Sequence, residues 1–228
     1  MKHPWRWVIG GLAVALVAVV AAGAWYVFGD SAPAKPKLSA RAPTDTSDRA
    51  TPDGAWHVVD GKSVYVGYRM TEVFAGDIVH KTAVGRTPAV SGTMTIARNT
   101  VTAAAVTGQM QQLTSNRGAR DNYIHSHAIE SDMFPTATFT LTKPIPLPSP
   151  PVTGKQITVN ATGTLDLRGV TKTVTVPLQA RWDGDTIEVV GSLPIKLADY
   201  AITPPDTGVV RVDNHGSMEL SLVFAPLG

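Results

Sequence analysis

From Ile157 to Arg168 the chain alternates without a break. Ile157, Val159, Ala161, Gly163, Leu165 and Leu167 are apolar or small, and Thr158, Asn160, Thr162, Thr164, Asp166 and Arg168 stand between them. A helix would spread both sets around its circumference, whereas an extended strand keeps one face dry and the other wet. The same period recurs at Val174, Val176, Leu178, Ala180 and Trp182, and again at Met218, Leu220, Leu222 and Phe224. Val64, Val66, Tyr68 and Met70 repeat it, as do Ala137, Phe139 and Leu141. Arg168-Gly169-Val170-Thr171 reads as a hairpin turn around its glycine. Pro177 has no amide to donate, so its strand carries a bulge or an edge there. With about eight strand candidates at even spacing, the chain is all-β, an antiparallel barrel or sandwich. A barrel of about eight strands is either filled by its own side chains or holds one small ligand, and periodicity does not separate the two. A wet face of Thr, Asp and Arg argues against a barrel that spans a membrane. Residues 111–131 break the rhythm: a short helix is expected within Gln112–Tyr123, weakened by Gly118.

The N-terminus obeys a different rule. Val8–Phe28 carries no charge and is mostly Ala, Val, Leu and Gly; as a helix it would span about 32 Å, close to a bilayer core. Lys2 and Arg6 precede it and Asp30 follows, which puts the N-terminus in the cytoplasm and the rest of the chain outside. Trp5, Trp7, Trp25 and Tyr26 mark its two interfaces. The expectation is a single transmembrane anchor over residues 1–28. The alternative is a signal peptide cleaved near Ala22-Gly23-Ala24, giving a secreted protein. Residues 29–54, with four prolines and five alanines, are expected to be a disordered linker with an r.m.s. span of roughly 28 Å. Residues 55–228 form the folded domain.

Composition and motifs exclude most chemistry. Twenty basic against eighteen acidic residues leave a formal charge of +2, with no basic face for a nucleic acid. Zero cysteines exclude disulfides, thiolate metal sites and thiol catalysis. There is no Gly-x-Ser-x-Gly elbow, no His-Glu-x-x-His and no glycine-rich phosphate loop. Ser126 lies between two histidines, but sequence adjacency is not a triad. Asp183 and Asp185 flank Gly184 as a turn would. His125-x-His127 could share a strand face and bind a metal with Asp121 or Asp132, but no third histidine has matching spacing. The expectation is a non-enzyme with no metal and no cofactor. Nothing in the sequence selects an oligomeric state.

Three segments resemble the YceI-like family. They are Thr164-Leu165-Asp166-Leu167-Arg168-Gly169-Val170-Thr171-Lys172, Arg120-Asp121-Asn122-Tyr123-Ile124-His125-Ser126, and Met133-Phe134-Pro135-Thr136-Ala137-Thr138-Phe139. Trp56-His57-Val58-Val59-Asp60 and Leu197-Ala198-Asp199-Tyr200-Ala201-Ile202 fall in the expected order around them. The resemblance implies a lipocalin-like antiparallel β-barrel with an apolar channel that binds a polyisoprenoid, such as a quinone or polyprenyl lipid, in extracytoplasmic space. Ala128 and Ile129 stand where the family has two phenylalanines, which would widen the channel or repack a wall. Under this resemblance the ligand contacts are Val66, Tyr68, Met94, Ile96, Ile124, Phe134, Phe139, Leu141, Leu165, Val176, Trp182, Leu220 and Leu222. Arg117, Arg120, His125 and His127 are candidates for a headgroup at the mouth; the alternative is that Arg120 and Asp121 fix the loop. The chain is thus expected to be a membrane-anchored extracytoplasmic carrier of an isoprenoid or other long-chain apolar lipid. The alternative is an anchored envelope interaction module with a filled barrel and an exposed apolar loop at Pro144–Pro151.

Overall fold

The computed structural model describes residues 31–40, 49–74, 78–148 and 150–227. The apolar segment Val8–Phe28 lies outside the described residues, as does 41–48 of the linker. The chain divides after Pro33, and Ala34–Gly228 forms one compact unit.

Twelve strands among the described residues join one sheet. In chain order they are β1 (Gly54–Val58), β2 (Tyr65–Phe74), β3 (Val79–Thr87), β4 (Val90–Ala97), β5 (Thr100–Gln109), β6 (Thr114–Ser115), β7 (Thr136–Leu141), β8 (Ile145–Pro146), β9 (Gln156–Leu167), β10 (Val170–Trp182), β11 (Ile187–Lys196) and β12 (Val210–Pro226). Hydrogen bonding runs β1-β4-β5-β7-β9-β10-β11-β12 and returns to β1, so eight antiparallel strands close a barrel. The closing seam pairs Trp56 with Pro226 and Val58 with Phe224. Below it, the longer β12 pairs with β2 instead, and β2 carries β3 and the short β6.

The alternating segments become strands in the predicted phase. Leu167 pairs with Val170 across Arg168 and Gly169, whose φ values of 54° and 70° make a two-residue turn of the kind that matches strand twist. Pro177 pairs with Asn160 in β9, but pairing of β10 with β11 begins only at Leu178. The proline therefore stands where one side of its strand is unpaired. The helix is shorter than expected. A 3-10 turn takes Met110–Gln112, β6 takes Thr114–Ser115, and α1 covers only Gly118–Tyr123, followed by a π turn at Ile124–Ala128.

Two apolar clusters lie along the barrel. One, at the seam end, contains Trp56, Met94, Ile96, Val101, Ile145, Trp182, Ile187 and Leu222. The other contains Met70, Met110, Leu165, Leu167, Val176, Leu193, Leu197 and Tyr200, with Ala128 and Ile129 packed against it.

Residues 31–40 form no helix or strand, yet part of the segment is strapped to the outer wall. The Ser39 amide donates to Glu188 Oε1 at 2.8 Å and its hydroxyl donates to Oε2 at 2.9 Å. Arg181 donates to the Ser39 carbonyl at 2.7 Å, to its Oγ at 2.9 Å, and to Glu188 at 2.9 Å. Arg86 donates to the Ala34 carbonyl at 2.8 Å. Arg181 and Glu188 are buried although they sit on the wet face of their strands.

Candidate functional site

The space between the two clusters is not filled. A cavity of about 210 Å³ runs inside the barrel. That exceeds the ~150 Å³ at which an apolar protein cavity stays dry and accepts benzene. Small inward side chains leave it open: Ala104, Ala137, Ala161 and Ala180 line it at positions where a packed barrel would carry larger residues. Leu165, Val176 and Leu193 belong both to its wall and to the second cluster, so that cluster forms its floor. All of the exposed lining residues, Pro148, Pro150, Val152 and Lys155, lie in the loop between β8 and β9. The channel opens there.

This mouth is tied to neighbouring turns. Asn99 Nδ2 donates to the carbonyls of Leu147 and Pro148 at 2.8 and 3.0 Å. Asp53 accepts from the amides of Arg98 and Asn99, and Trp182 accepts from the Gly154 amide at 2.7 Å. Ile145, Leu147, Pro148, Pro150 and Pro151 of the Pro-rich segment thus belong to the channel wall and its rim.

Of the contacts expected from the sequence, Val66, Met94, Ile96, Phe139, Leu141, Leu165, Val176, Trp182, Leu220 and Leu222 line the cavity. Tyr68, Ile124 and Phe134 are not among the lining residues. Tyr68 packs against the second cluster, its ring lying over Gly85, where any β-carbon would collide with it. Phe134 covers Gly169 so closely that a β-carbon there would stand 2.7 Å from Cε1. Ile124 opens the π turn. Val101, Val106, Ile145, Val159, Leu178 and Ile187 line the channel without having been singled out. Val101 and Val106 flank the Ala103-Ala104-Ala105 run, where alternation is unreadable because both faces are small or polar.

The headgroup candidates gather at the floor end, away from the mouth. Arg120 meets Glu72 through two bonds, Nε to Oε1 at 2.6 Å and Nη2 to Oε2 at 2.8 Å, and also reaches Ser115 and Asn116. Asp121 accepts from the Ser115 amide and hydroxyl at 2.9 and 2.6 Å. The pair pins α1 to β2 and β6. Arg117 is the half-buried residue preceding α1. His125 Nδ1 lies 2.9 Å from Ser131 Oγ, and His127 stacks on Tyr123 with centroids 5.1 Å apart. Among the described residues no three His, Asp or Glu side chains converge as metal ligands. Ala128 and Ile129 face the second cluster rather than the channel. Burial pushes the Tyr68 phenol well above the ordinary tyrosine range; Arg120 opposes this, and Asp121 and Glu72 add to it.

The hairpin signature also acts at the floor. Arg168 pairs with Glu130 and donates to the Ala201 carbonyl at 2.7 Å, joining the helix loop to the 3-10 turn Leu197–Tyr200. Residues that are conspicuous in the sequence lock this end shut, and inconspicuous aliphatics build the channel.

A family model described as YceI-like domain matches residues 58–224. Among solved structures, a polyisoprenoid binding domain from Saccharophagus degradans, implicated in plant cell wall breakdown, aligns with TM-score 0.56 and 17% identity. That alignment covers 75% of this chain and 98% of the other. BcnA of Burkholderia cenocepacia aligns with TM-score 0.52 and 22% identity over 68% of this chain and 95% of its own. A YceI protein of Campylobacter jejuni gives TM-score 0.50 and 16% identity over 63% and 85%. At these identities the structural likeness shows the fold. Comparison with curated proteins gave no significant match.

Proposed function

The chain belongs to the YceI-like domain family, a non-catalytic binding fold, and from that premise we propose that it shelters a long-chain isoprenoid lipid in the barrel channel. The observation that carries this reading is the cavity itself: a continuous apolar wall, open at one rim, kept empty by alanines at inward positions. Each methylene moved from water into such a wall contributes about 0.8 kcal/mol, so several isoprene units supply most of the affinity. The binding domain of Saccharophagus degradans, named for a polyisoprenoid, supports the same ligand class. The reading includes an extracytoplasmic barrel held to the membrane by the apolar segment Val8–Phe28, which follows from the charge order around that segment. An interaction module with a filled barrel accounts less well for the cavity. Its apolar loop, Pro144–Pro151, is here part of the channel mouth.

The test uses residues 34–228, which contain the whole barrel and its strap. The fragment is purified from an envelope fraction without detergent exchange, and native mass spectrometry is followed by organic extraction. A stoichiometric polyisoprenoid adduct is expected, and Leu165→Trp with Val176→Trp should abolish it by filling the floor. The fillers themselves cost about 1–3 kcal/mol in overpacking, so a melting curve checks that they remain folded. A clean mass that stays unliganded after incubation with quinones and polyprenyl phosphates overturns the proposal.

A further inference from the structure

The rim that opens the channel carries exposed apolar side chains, and unlike exposed Ile78, Met133 and Val209 elsewhere they adjoin the channel wall. Val152 is 52% exposed and Leu227 is 56% exposed. Pro148 and Pro150 are exposed beside them, with Leu147 and Pro151 half-buried. All except Leu227 line the cavity, so the exposed patch and the channel wall are one continuous surface. Leu227 joins the rim because its amide donates to Ala55 at 2.8 Å, next to the closing seam. Asn99 and Trp182 hold the loop from below. Prolines further stiffen it. A rigid exposed apolar surface marks an interaction site, and its continuity with a channel selects the occupant.

We infer that this rim is a bilayer-docking surface, its apolar lip seated at the boundary between headgroups and acyl chains. The inference rests on the lipid-carrier reading. A lip in that position lets a long-chain lipid pass between leaflet and channel without crossing water. Charge adds little to the attraction. At this end Arg49 (which lies over Trp56), Arg98, Lys155 and Arg181 are balanced by Asp53, Asp183, Asp185 and Glu188. Docking is therefore driven by apolar insertion, and a zwitterionic membrane suffices.

The chain has no cysteine, so a single introduced thiol is a unique probe site. Val152→Cys at the mouth and Val209→Cys at the opposite end, where Val209 is 70% exposed, each receive a nitroxide in the full chain. Both are reconstituted into phosphatidylcholine vesicles. The Val152 label should be accessible to oxygen and shielded from a water-soluble nickel chelate, and the Val209 label should show the reverse. In parallel, residues 34–228 should float with phosphatidylcholine vesicles equally well at low and high salt. Leu227→Asp, which lies outside the channel wall, should weaken flotation at least tenfold while the lipid adduct in native mass spectra is unchanged. Two labels that are equally wet, a dry Val209 label, or flotation that requires anionic lipid would each overturn the docking proposal. A retained lipid adduct in those cases would leave the carrier reading standing, and loss of both would end the two together. Rim contacts found only with another envelope protein would also count against it.

Discussion

The guanidinium of Arg120 grips Glu72 with two near-parallel bonds, a fork that an ammonium cannot copy. Arg120→Lys is expected to destabilise the fold by about 1–3 kcal/mol, measured by urea denaturation, while lipid stoichiometry stays intact. That split would separate a residue that fastens the floor from one that meets a headgroup. Tyr68 makes a second prediction at this scale. Its phenol stays protonated to a higher pH in the folded state than at its ordinary value of 10.0 in the unfolded chain. Stability from this group is therefore complete below that ordinary value and is lost as pH rises from it toward the folded value. Tyr68→Phe should change stability little at pH 7 and should flatten the alkaline decline, as read from melting temperatures between about pH 9 and 11. That Arg120 and Asp121 fix their loop was the alternative reading of the sequence, but their partners and the burial of Tyr68 were not readable in it. Arg120 and Asp121 look like any charged loop pair until β2 brings Glu72 against them from far along the chain.

Strands β9 and β10 were the most legible elements because each has one buried face and one exposed face. Alternation then fixes both the element and its inward set. The channel wall at β5 was illegible for the opposite reason: three successive alanines carry no contrast. Gly163 shows how close these elements pack. A β-carbon there would strike the Thr140 carbonyl and stand 2.6 Å from Phe139 Cζ. Gly163→Ala is expected to cost about 1–3 kcal/mol, read by chemical denaturation, and to narrow the channel where Phe139 lines it. The strap tests another element. Ser39→Ala removes the hydroxyl shared by Glu188 and Arg181 and should lower stability by about 1–2 kcal/mol in the same assay. Proline and alanine content gave no sign of this seat, because it depends on Arg181 and Glu188, more than a hundred residues away in sequence.

At the scale of the whole molecule, closure depends on a short seam. β1 pairs with both β4 and β12, and Trp56 sits at the join, fully buried, with its indole donating to the Pro52 carbonyl at 2.9 Å. Trp56→Ala should therefore cost about 3–5 kcal/mol and open the rim as well as the core, seen as a lowered melting temperature together with loss of bound lipid. Period and spacing alone led to an all-β barrel or sandwich of about eight strands, and the family resemblance selected the barrel. Whether the interior was hollow did not follow, because a filled and an empty barrel share the same alternation and differ only in the sizes of the inward residues. The strap has a practical consequence for anyone trimming the protein. Alternation tempts one to begin a fragment at residue 55. That cut would discard Ser39 and Ala34 and uncover wall residues that are buried in the intact unit. A fragment made that way is expected to aggregate for reasons unrelated to the channel. The natural first residue of a minimal barrel fragment is Ala34.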